Sequence, residues 1–222
     1  MEIKVLTIKE DILGVNDEKA RKNQNRLDEY GIIAINIMSS PGAGKTSLIW
    51  QTLDRLKSES RIAVVEGDIA SQVDADKLHQ HGVPIIQINI PGGCHLDANM
   101  VENALDNLPL KELDLILIEN VGNLVCPAEF NLGEHKKVVL SSMTEGDDKP
   151  YKYPLMFSEA DVVLVNKLDL LPYLDFNASY FYEGITRLNP EVKIFQVSCK
   201  TGEGMEPWFS WLLAQMKGKK AD

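Results

Sequence analysis

The sequence predicts an α/β fold, in which a mostly parallel sheet of about seven strands carries helices on both faces. The first observation is the alternation of short apolar runs, rich in β-branched residues, with segments of helical spacing. The second is that several of these runs are apolar nearly throughout, which is typical of strands covered on both faces. Alternating strands and helices form parallel sheets through right-handed crossovers, and 222 residues suffice for one such domain.

Seven runs are interpreted as strands because they are short, apolar and β-branched. In chain order they cover residues 32–38, 61–66, 85–88, 113–118, 137–142, 162–165 and 193–197.

Three segments outside these runs are interpreted as helices. They cover residues 46–57, 97–108 and 205–216. The first two place their apolar residues on one helical stripe, and the third is apolar enough to close the domain. Residues 17–30 are polar, and we interpret them as a surface helix. The expected organisation is an N-terminal helical extension at 1–30 and one domain at 31–217.

Composition excludes several classes of protein. The chain has 23 Lys and Arg against 33 Asp and Glu, a net charge of −10, whereas a general nucleic-acid binder needs a basic face. No apolar run approaches the roughly 20 residues of a membrane span, and the first residues are too charged for a secretion signal. Three cysteines are too few for a disulfide framework. We expect a cytoplasmic protein without nucleic-acid or membrane partners.

A phosphate-binding loop is indicated at residues 39–46, which read S-S-P-G-A-G-K-T between a predicted strand and a predicted helix. Its glycines allow a close approach of the backbone to a phosphate, and successive N–H groups at a helix N-terminus cradle anions. Lys45 can reach the β- and γ-phosphates, and the Thr46 hydroxyl can ligate Mg²⁺. Ser39 stands where this motif usually has its first glycine. The expected nucleotide contacts are Pro41, Gly42, Ala43, Gly44, Lys45, Thr46 and Ser47.

Acidic residues at strand ends are candidates for organising that magnesium ion. Glu119 follows the apolar run 113–118, and open α/β sheets bind ligands at the carboxyl ends of their strands. Asp68 and Asp74 follow the run 61–66 and can reach the ion or the attacking water; the alternative is a solvated acidic loop. The candidate catalytic residues are Lys45, Thr46, Asp68 and Glu119, and the candidate magnesium ligands are Thr46, Asp68, Asp74 and Glu119.

A second motif, N-K-L-D at 166–169, follows the sixth predicted strand. Asp169 can accept hydrogen bonds from guanine N1–H and the 2-amino group, which adenine lacks, so the site should reject ATP by about tenfold or more. Asn166 can support the loop or contact the base, and the Lys167 stem can lie on the purine. An ordinary strand-to-loop exit is the alternative. The residues expected to add a contact to the guanine oxygen are Ser198, Cys199 and Lys200.

Cys94, His95 and Cys126 form a candidate set of soft metal ligands. Two thiolates and one imidazole suit Zn²⁺ or Ni²⁺, and three protein ligands leave one tetrahedral position for a water or a second chain. Cys126 lies seven residues after Glu119, so a change at the γ-phosphate can move a metal ligand. The alternative is that the cysteines are small buried hydrophobes. His135 could add a ligand, but a surface position is favoured.

Five segments, in this order, resemble the HypB family of GTPases, which serve nickel insertion into [NiFe] hydrogenases. The segments are S-S-P-G-A-G-K-T, P-G-G-C-H-L-D, I-E-N-V-G-N-L-V-C-P, T-E-G-D-D-K-P and N-K-L-D. The resemblance runs from about Asp17 to the C-terminal helix. The second and third segments separate this family from UreG, the urease nickel chaperone, which has a similar fold and phosphate loop.

The resemblance implies a P-loop GTPase domain of the SIMIBI class, which dimerises around GTP, requires Mg²⁺ and turns over slowly. It places Cys94, His95 and Cys126 at the dimer interface as a site for zinc or nickel. The implied partners are a HypA-type metallochaperone and the hydrogenase large-subunit precursor. Many bacterial members carry N-terminal Cys- or His-rich nickel motifs, whereas residues 1–30 contain neither Cys nor His. No high-affinity nickel store is therefore expected in that segment.

Three other functions stay open. A urease-type chaperone GTPase would have a similar phosphate loop and fold. A nucleotide-gated interaction protein would use the cysteines and the histidine as structural residues. A phosphate-loop kinase would act on a small molecule, and the guanine-reading Asp169 argues against it.

Overall fold

The computed structural model describes the backbone of residues 8–68 and 80–219, with the side chains of 12–67 and 80–219. The strands in this part of the chain are β1 (Ile33–Ser39), β2 (Ile62–Asp68), β3 (Ile85–Asn89), β4 (Leu115–Glu119), β5 (Lys136–Ser142), β6 (Val162–Asn166) and β7 (Lys193–Gln196). They form one seven-stranded sheet in the order β3-β2-β4-β1-β5-β6-β7. All neighbouring strands are parallel, which confirms the predicted fold class.

Helices connect these strands. Those in the described residues are α1 (Ile8–Glu29), α2 (Lys45–Leu56), α3 (Ala98–Asp106), α4 (Cys126–Glu129), α5 (Lys149–Lys152), α6 (Pro154–Ser158), α7 (Ala178–Leu188) and α8 (Glu206–Lys219). Short 3₁₀ turns cover Leu110–Glu112, Met143–Glu145 and Leu168–Tyr173. The strands begin and end within two residues of the predicted positions, because the apolar runs coincide with the buried parts of the sheet.

The side-chain alternation of β1 explains why both faces of the sheet are covered. Ile35 and Ile37 lie in the hydrophobic cluster formed with α2 and α8, whereas Ala34 lies in a second cluster on the other face, with α1 and α3. Trp208 fixes α8 against α2, because its fully buried indole N–H donates to Thr52 Oγ1 at 2.9 Å.

The first helix is longer than the predicted surface helix at 17–30. Its sequence is mostly polar, and only a narrow stripe of its side chains is buried. It begins at Ile8 and buries Ala20 and Leu27. Asn23 is also buried and donates to the carbonyls of Ala98 and Leu132 at 2.8 and 2.9 Å. The helix therefore lies against the body of the domain, and the division at residue 30 stays a prediction.

The carboxyl ends of the strands lie at one edge of the sheet, where open α/β sheets bind ligands. At this edge β1 leads through residues 40–44 into α2, and β4 leads through 120–125 into α4. β6 leads into the turn Leu168–Tyr173. The topology thus collects the predicted site residues on three neighbouring loops. Across 8–68 and 80–219, no helix is both long and apolar enough to cross a bilayer.

Candidate functional site

The phosphate loop joins the end of β1 to the start of α2. Gly44 has a φ of 107°, which L-residues rarely adopt. A Cβ at this position would lie 2.5 Å from Asn166 Nδ2, so the conformation and the close approach both require glycine. Ser39, in place of the usual first glycine, is fully buried, and its hydroxyl oxygen accepts a hydrogen bond from Lys45 Nζ at 3.0 Å.

The loop borders a cavity of about 590 Å³ at the carboxyl edge of the sheet. Lys45, Thr46 and Ser47, in the first turn of α2, line this cavity together with Trp50. The first N–H groups of a helix have no intrahelical partner and attract anions. The volume lies in the range of small-molecule and cofactor sites, so the cavity can hold a phosphorylated ligand.

Two buried glutamates lie at neighbouring strand ends beside the phosphate loop. Glu119 ends β4 and accepts a hydrogen bond from the Thr46 hydroxyl, with Oε1 and Oγ1 3.0 Å apart. Glu66 in β2 is the register partner of Glu119, and both side chains border the cavity. Mg²⁺ prefers carboxylate and hydroxyl oxygens, so these groups fit a magnesium ion.

The structure adds one acidic residue to the site, Glu66, whereas Asp68 and Asp74 stay predictions. Glu66 was not singled out from the sequence, although its place near the end of an apolar run was the available signal. Asp68 ends β2, but its side chain lies outside the described residues, and Asp74 lies in the segment 69–79, which is also outside them.

The N-K-L-D segment lies directly against the phosphate loop. Asn166 is buried, its Nδ2 donates to the Ala43 carbonyl at 2.8 Å, and its Oδ1 accepts from the Cys199 backbone at 3.0 Å. Lys167 has a φ of 65° and donates from Nζ to the Gly42 carbonyl at 2.9 Å. Of the two roles predicted for Asn166, the side chain performs the first, because it joins two loops.

Asp169 lies on the same turn and is oriented by a serine. Ser198 Oγ donates to Asp169 Oδ1 at 2.6 Å, and the same hydroxyl oxygen accepts from the Thr201 backbone at 3.2 Å. Cys199 is buried beside the cavity, and burial raises the pKa of its thiol to about 12. Lys200 is exposed. The carboxylate of Asp169 is therefore held in place by the loop that follows β7.

Cys94, His95 and Cys126 come together in one cluster. The two sulfur atoms are 3.3 Å apart, and Cys94 Sγ lies 3.3 Å from His95 Nδ1. All three ligand atoms lie within 4.8 Å of one another. The His95 ring is supported by Phe130, with ring centroids 4.0 Å apart. The prediction that these residues share a site agrees with this geometry.

The chemistry of this cluster fits a soft or borderline metal ion. Two thiolates bound to one Zn²⁺ at tetrahedral geometry lie about 3.8 Å apart, close to the observed 3.3 Å. The neighbouring Cys126 thiol raises the pKa of Cys94, and burial lowers the pKa of His95. A cation would reverse the first effect, because it favours thiolates, and the second favours the neutral ring that binds metals.

The segment between Glu119 and Cys126 lies against the phosphate loop. A Cβ on Gly122 would lie 2.9 Å from the backbone of Pro41, so glycine permits this close contact. The backbone N–H of Asn123 donates to the Ser39 carbonyl at 2.8 Å. One short stretch of chain therefore contacts the phosphate loop and also carries a residue of each site.

His135, for which a surface position is favoured, is partly buried, with 10% of its side chain exposed. Its Nδ1 accepts from the Ala34 backbone at 3.0 Å, and its Nε2 lies 2.8 Å from Asp28 Oδ1. Both ring nitrogens are thus used by hydrogen bonds to α1 and β1, at the start of β5. The ring belongs to the packing of the domain and lies apart from the Cys94 cluster.

Comparison with known proteins identifies the family. Residues 33–196 match the family model described as the CobW/HypB/UreG nucleotide-binding domain. The chain is 48% identical over 212 residues to hydrogenase maturation factor HypB of Azotobacter vinelandii, which covers 96% of this chain and 70% of that protein. It is 41% identical over 218 residues to the hydrogenase/urease maturation factor HypB of Helicobacter pylori, covering 96% and 89%.

The fold agrees with these matches. A crystal structure of HypB from Helicobacter pylori in complex with nickel is similar with a TM-score of 0.87 and 40% identity, over 91% of this chain and 95% of that one. The matched residues contain the phosphate loop, the Cys94 cluster and the N-K-L-D segment. The chain therefore belongs to the HypB family of hydrogenase maturation factors, within the CobW/HypB/UreG nucleotide-binding domain proteins.

Proposed function

We propose that this chain is a Mg²⁺-dependent GTPase and a nickel metallochaperone, which helps to insert nickel into [NiFe] hydrogenase. The observation that carries the proposal is the stretch from Glu119 to Cys126, which joins the hydroxyl of Thr46 at one end to the metal cluster at the other. Eight consecutive residues, 119–126, connect the nucleotide site to the soft-ligand site. Binding at one site can therefore change the affinity of the other.

The phosphate loop binds the triphosphate in this proposal. The backbone N–H groups of residues 42–47 and the ammonium group of Lys45 hold the phosphate oxygens and stabilise the charge that develops on them, with Pro41 in contact beside them. Thr46 and Glu119, with Asp68 and Asp74 as further candidates, hold Mg²⁺, which supplies neutralisation of the phosphate charge. The hydrogen bond between Thr46 and Glu119 supports this, because both groups border one cavity.

Hydrolysis transfers the terminal phosphoryl group to water. A water molecule attacks the γ-phosphorus in line, the bond to the β–γ bridging oxygen breaks, and GDP and inorganic phosphate leave. No arginine is among the described residues that line the cavity. Since an arginine finger accounts for much of the rate in fast GTPases, we expect slow intrinsic turnover.

Guanine is recognised by the loops after β6 and β7. The carboxylate of Asp169 accepts from N1–H and the 2-amino group, while Ser198 holds it in place. Asn166 supports the phosphate loop, Lys167 lies beside the purine, and the segment 198–200 adds a contact to the guanine oxygen. GTP and GDP are therefore the expected nucleotides.

The metal site binds Zn²⁺ or Ni²⁺ through Cys94, His95 and Cys126, and a second copy of the chain completes it. Three ligands leave one tetrahedral position open, and Cys94 is exposed, so a partner can reach the ion. We propose a homodimer whose formation depends on nucleotide and metal. A HypA-type metallochaperone and the hydrogenase large-subunit precursor are the proposed partners.

Two measurements on purified protein test this function. Phosphate release should require Mg²⁺ and prefer GTP to ATP by about tenfold or more. Immobilised, nickel-loaded protein should capture the precursor of hydrogenase rather than that of urease. Hydrolysis of ATP at the same rate would overturn the GTPase assignment, and capture of the urease precursor alone would assign the chain to the other pathway.

A further inference from the structure

A fully buried asparagine follows Glu119 and contacts the loop of residues 90–97, which carries Cys94 and His95 and is called the metal loop. Asn120 comes directly after Glu119, at the end of β4, and has no exposed surface. Its Oδ1 accepts from the backbone N–H of Leu96 at 3.1 Å and from that of Val121 at 2.9 Å. Leu96 is the residue after His95, so this side chain ties the histidine to the end of β4.

The orientation of this amide is fixed by a chain of hydrogen bonds behind it. Asn120 Nδ2 donates to Asn36 Oδ1 at 3.2 Å, and Asn36 Nδ2 donates to Glu134 Oε1 at 3.1 Å. The other oxygen of Glu134 accepts from the Leu132 backbone at 2.6 Å. Because the Glu134 carboxylate only accepts hydrogen bonds, Asn36 must direct its amino group toward it. Asn120 must therefore present its oxygen to the metal loop.

A second asparagine ties the other half of the metal loop to a different anchor. Asn123 Nδ2 donates to the Cys94 carbonyl at 3.2 Å, and its Oδ1 accepts from the Val125 backbone at 2.9 Å. Its own N–H donates to the carbonyl of Ser39 at 2.8 Å. The loop that carries Cys94 is therefore held to the phosphate loop.

These two ties divide the metal ligands between two anchors. His95 is coupled to the end of β4 and to Glu119 by the Asn120 side chain. Cys94 is coupled instead to Ser39, through Asn123. The bond at Ser39 also holds the middle of the segment from Glu119 to Cys126 against the phosphate loop. A displacement of Glu119 relative to the phosphate loop thus reaches the metal ligands through the Asn120 side chain.

We propose that Asn120 and Asn123 are positioning residues that make the metal affinity depend on the bound nucleotide. When the γ-phosphate and its Mg²⁺ move Glu119, Asn120 moves His95 while Asn123 keeps Cys94 in place, and the spacing of the ligands changes. This inference rests on the proposed function. A nucleotide changes the spacing of the metal ligands only if it interacts differently with the two arrangements. The separate anchors of His95 and Cys94 are what make the two arrangements different.

The test compares metal affinity in two nucleotide states. The dissociation constant of Ni²⁺ is measured by competition with a chelator, in the presence of GDP or of a non-hydrolysable GTP analogue, both with Mg²⁺. In the wild type the ratio of the two constants should be at least about fivefold. In Asn120→Ala it should fall below about twofold, because Leu96 no longer follows Glu119. By reciprocity, the effect of Ni²⁺ on nucleotide affinity should fall equally.

Asn123→Asp is the second variant, in case Asn120→Ala does not fold. It keeps the acceptor for the Val125 N–H, loses the donor to the Cys94 carbonyl, and lies in a half-exposed loop. The ratio should fall in this variant as well. Asn189→Asp is the matched control, because its Nδ2 donates to the Ser158 and Ala160 carbonyls, at the opposite edge of the sheet, and the ratio should stay at the wild-type value.

The outcomes separate the inference from the function beneath it. A wild-type ratio of one means that nucleotide and metal are not coupled, which overturns the coupling in the proposed function. A wild-type ratio that is kept in Asn123→Asp and in folded Asn120→Ala overturns the role of the asparagines alone. That includes the case in which metal binding weakens equally in both nucleotide states, because such a result indicates a structural role only.

Discussion

The Thr46 hydroxyl donates a hydrogen bond of 3.0 Å to Glu119, and this bond joins the first turn of α2 to the end of β4. It brings together two residues that are 73 positions apart in the sequence. The phosphate loop and the strand that leads to Cys126 therefore meet at one pair of oxygen atoms, at the site assigned to Mg²⁺.

The first prediction concerns that pair. Glu119→Gln keeps an oxygen that can accept from Thr46, but it removes a charged ligand for Mg²⁺, so GTP turnover should fall on the order of 100-fold. Phosphate release under single-turnover conditions measures this, with GDP binding as the check that the cavity is intact. Turnover within a factor of about two of the wild type would remove Glu119 from the magnesium site.

The second prediction concerns the choice of base. In Asp169→Asn the side-chain oxygen can still accept from Ser198, but the carboxylate that accepts from guanine is lost, so preference for GDP over ADP should fall by about tenfold or more. Competition binding measures this ratio. Asp175→Asn, an exposed aspartate of the same turn region, is the matched control and should keep it. An unchanged ratio in Asp169→Asn would show that the base is recognised elsewhere.

The third prediction separates a metal site from structural cysteines. Cys126→Ala should weaken Zn²⁺ and Ni²⁺ binding by more than about 100-fold, because even outer-shell partners of a metal are worth about 10- to 100-fold. Cys199→Ala provides the control, since that thiol is buried beside the cavity and away from the cluster. It should keep metal affinity.

Thermal unfolding of the metal-free variants completes this test. Cys126 is only partly buried, so Cys126→Ala should leave the melting temperature of the metal-free protein close to that of the wild type. A large loss of stability in Cys126→Ala, with metal affinity retained, would favour the alternative in which the cysteines are structural.

The fourth prediction concerns pH and His135. Burial lowers the pKa of this histidine below its ordinary value of 6.5. Below about pH 6.5 the unfolded chain therefore binds a proton that the folded chain does not. The stability that depends on the neutral ring is present above pH 6.5 and is lost as the pH falls, with a slope of up to about 1.4 kcal/mol per pH unit.

Urea denaturation between pH 5 and 8 measures that slope. His135→Asn keeps an acceptor for the Ala34 N–H and removes the titrating group, so its unfolding free energy should depend less on pH than that of the wild type. Other histidines contribute equally to both proteins, and the difference between the two slopes isolates His135. Parallel curves would contradict this assignment.

The fold and most of the candidate site were predictable because their signals are local. Each strand is a short apolar run, and the phosphate loop is contiguous from Ser39 to Thr46. Cys94 and His95 are adjacent, and Cys126 follows a strand end. Parallel strands bring such ends to the same edge of a sheet, so residues distant in the chain could be assigned to one site without knowing any contact.

The remaining features depend on partners that are distant in sequence. His135 contacts Asp28, which lies 107 residues earlier, and nothing near the histidine in the sequence indicates this contact. Asn120 joins Asn36, 84 residues away, to the loop of Leu96. From the sequence alone, an asparagine after a strand is interpreted as an ordinary loop residue, because these partners are distant in the chain. Glu66 gave only a weak signal of its own, since the acidic residues from Glu66 onward also fit a solvated acidic loop.

The most direct test of the central claim is a Ni²⁺ titration of the wild-type protein, with GDP or with a non-hydrolysable GTP analogue, while the molecular mass in solution is recorded. The proposed function predicts Ni²⁺ affinities that differ by at least about fivefold between the two nucleotides, and a dimer with the GTP analogue. Equal affinity and equal mass in both states would contradict the claim that the nucleotide controls the metal site.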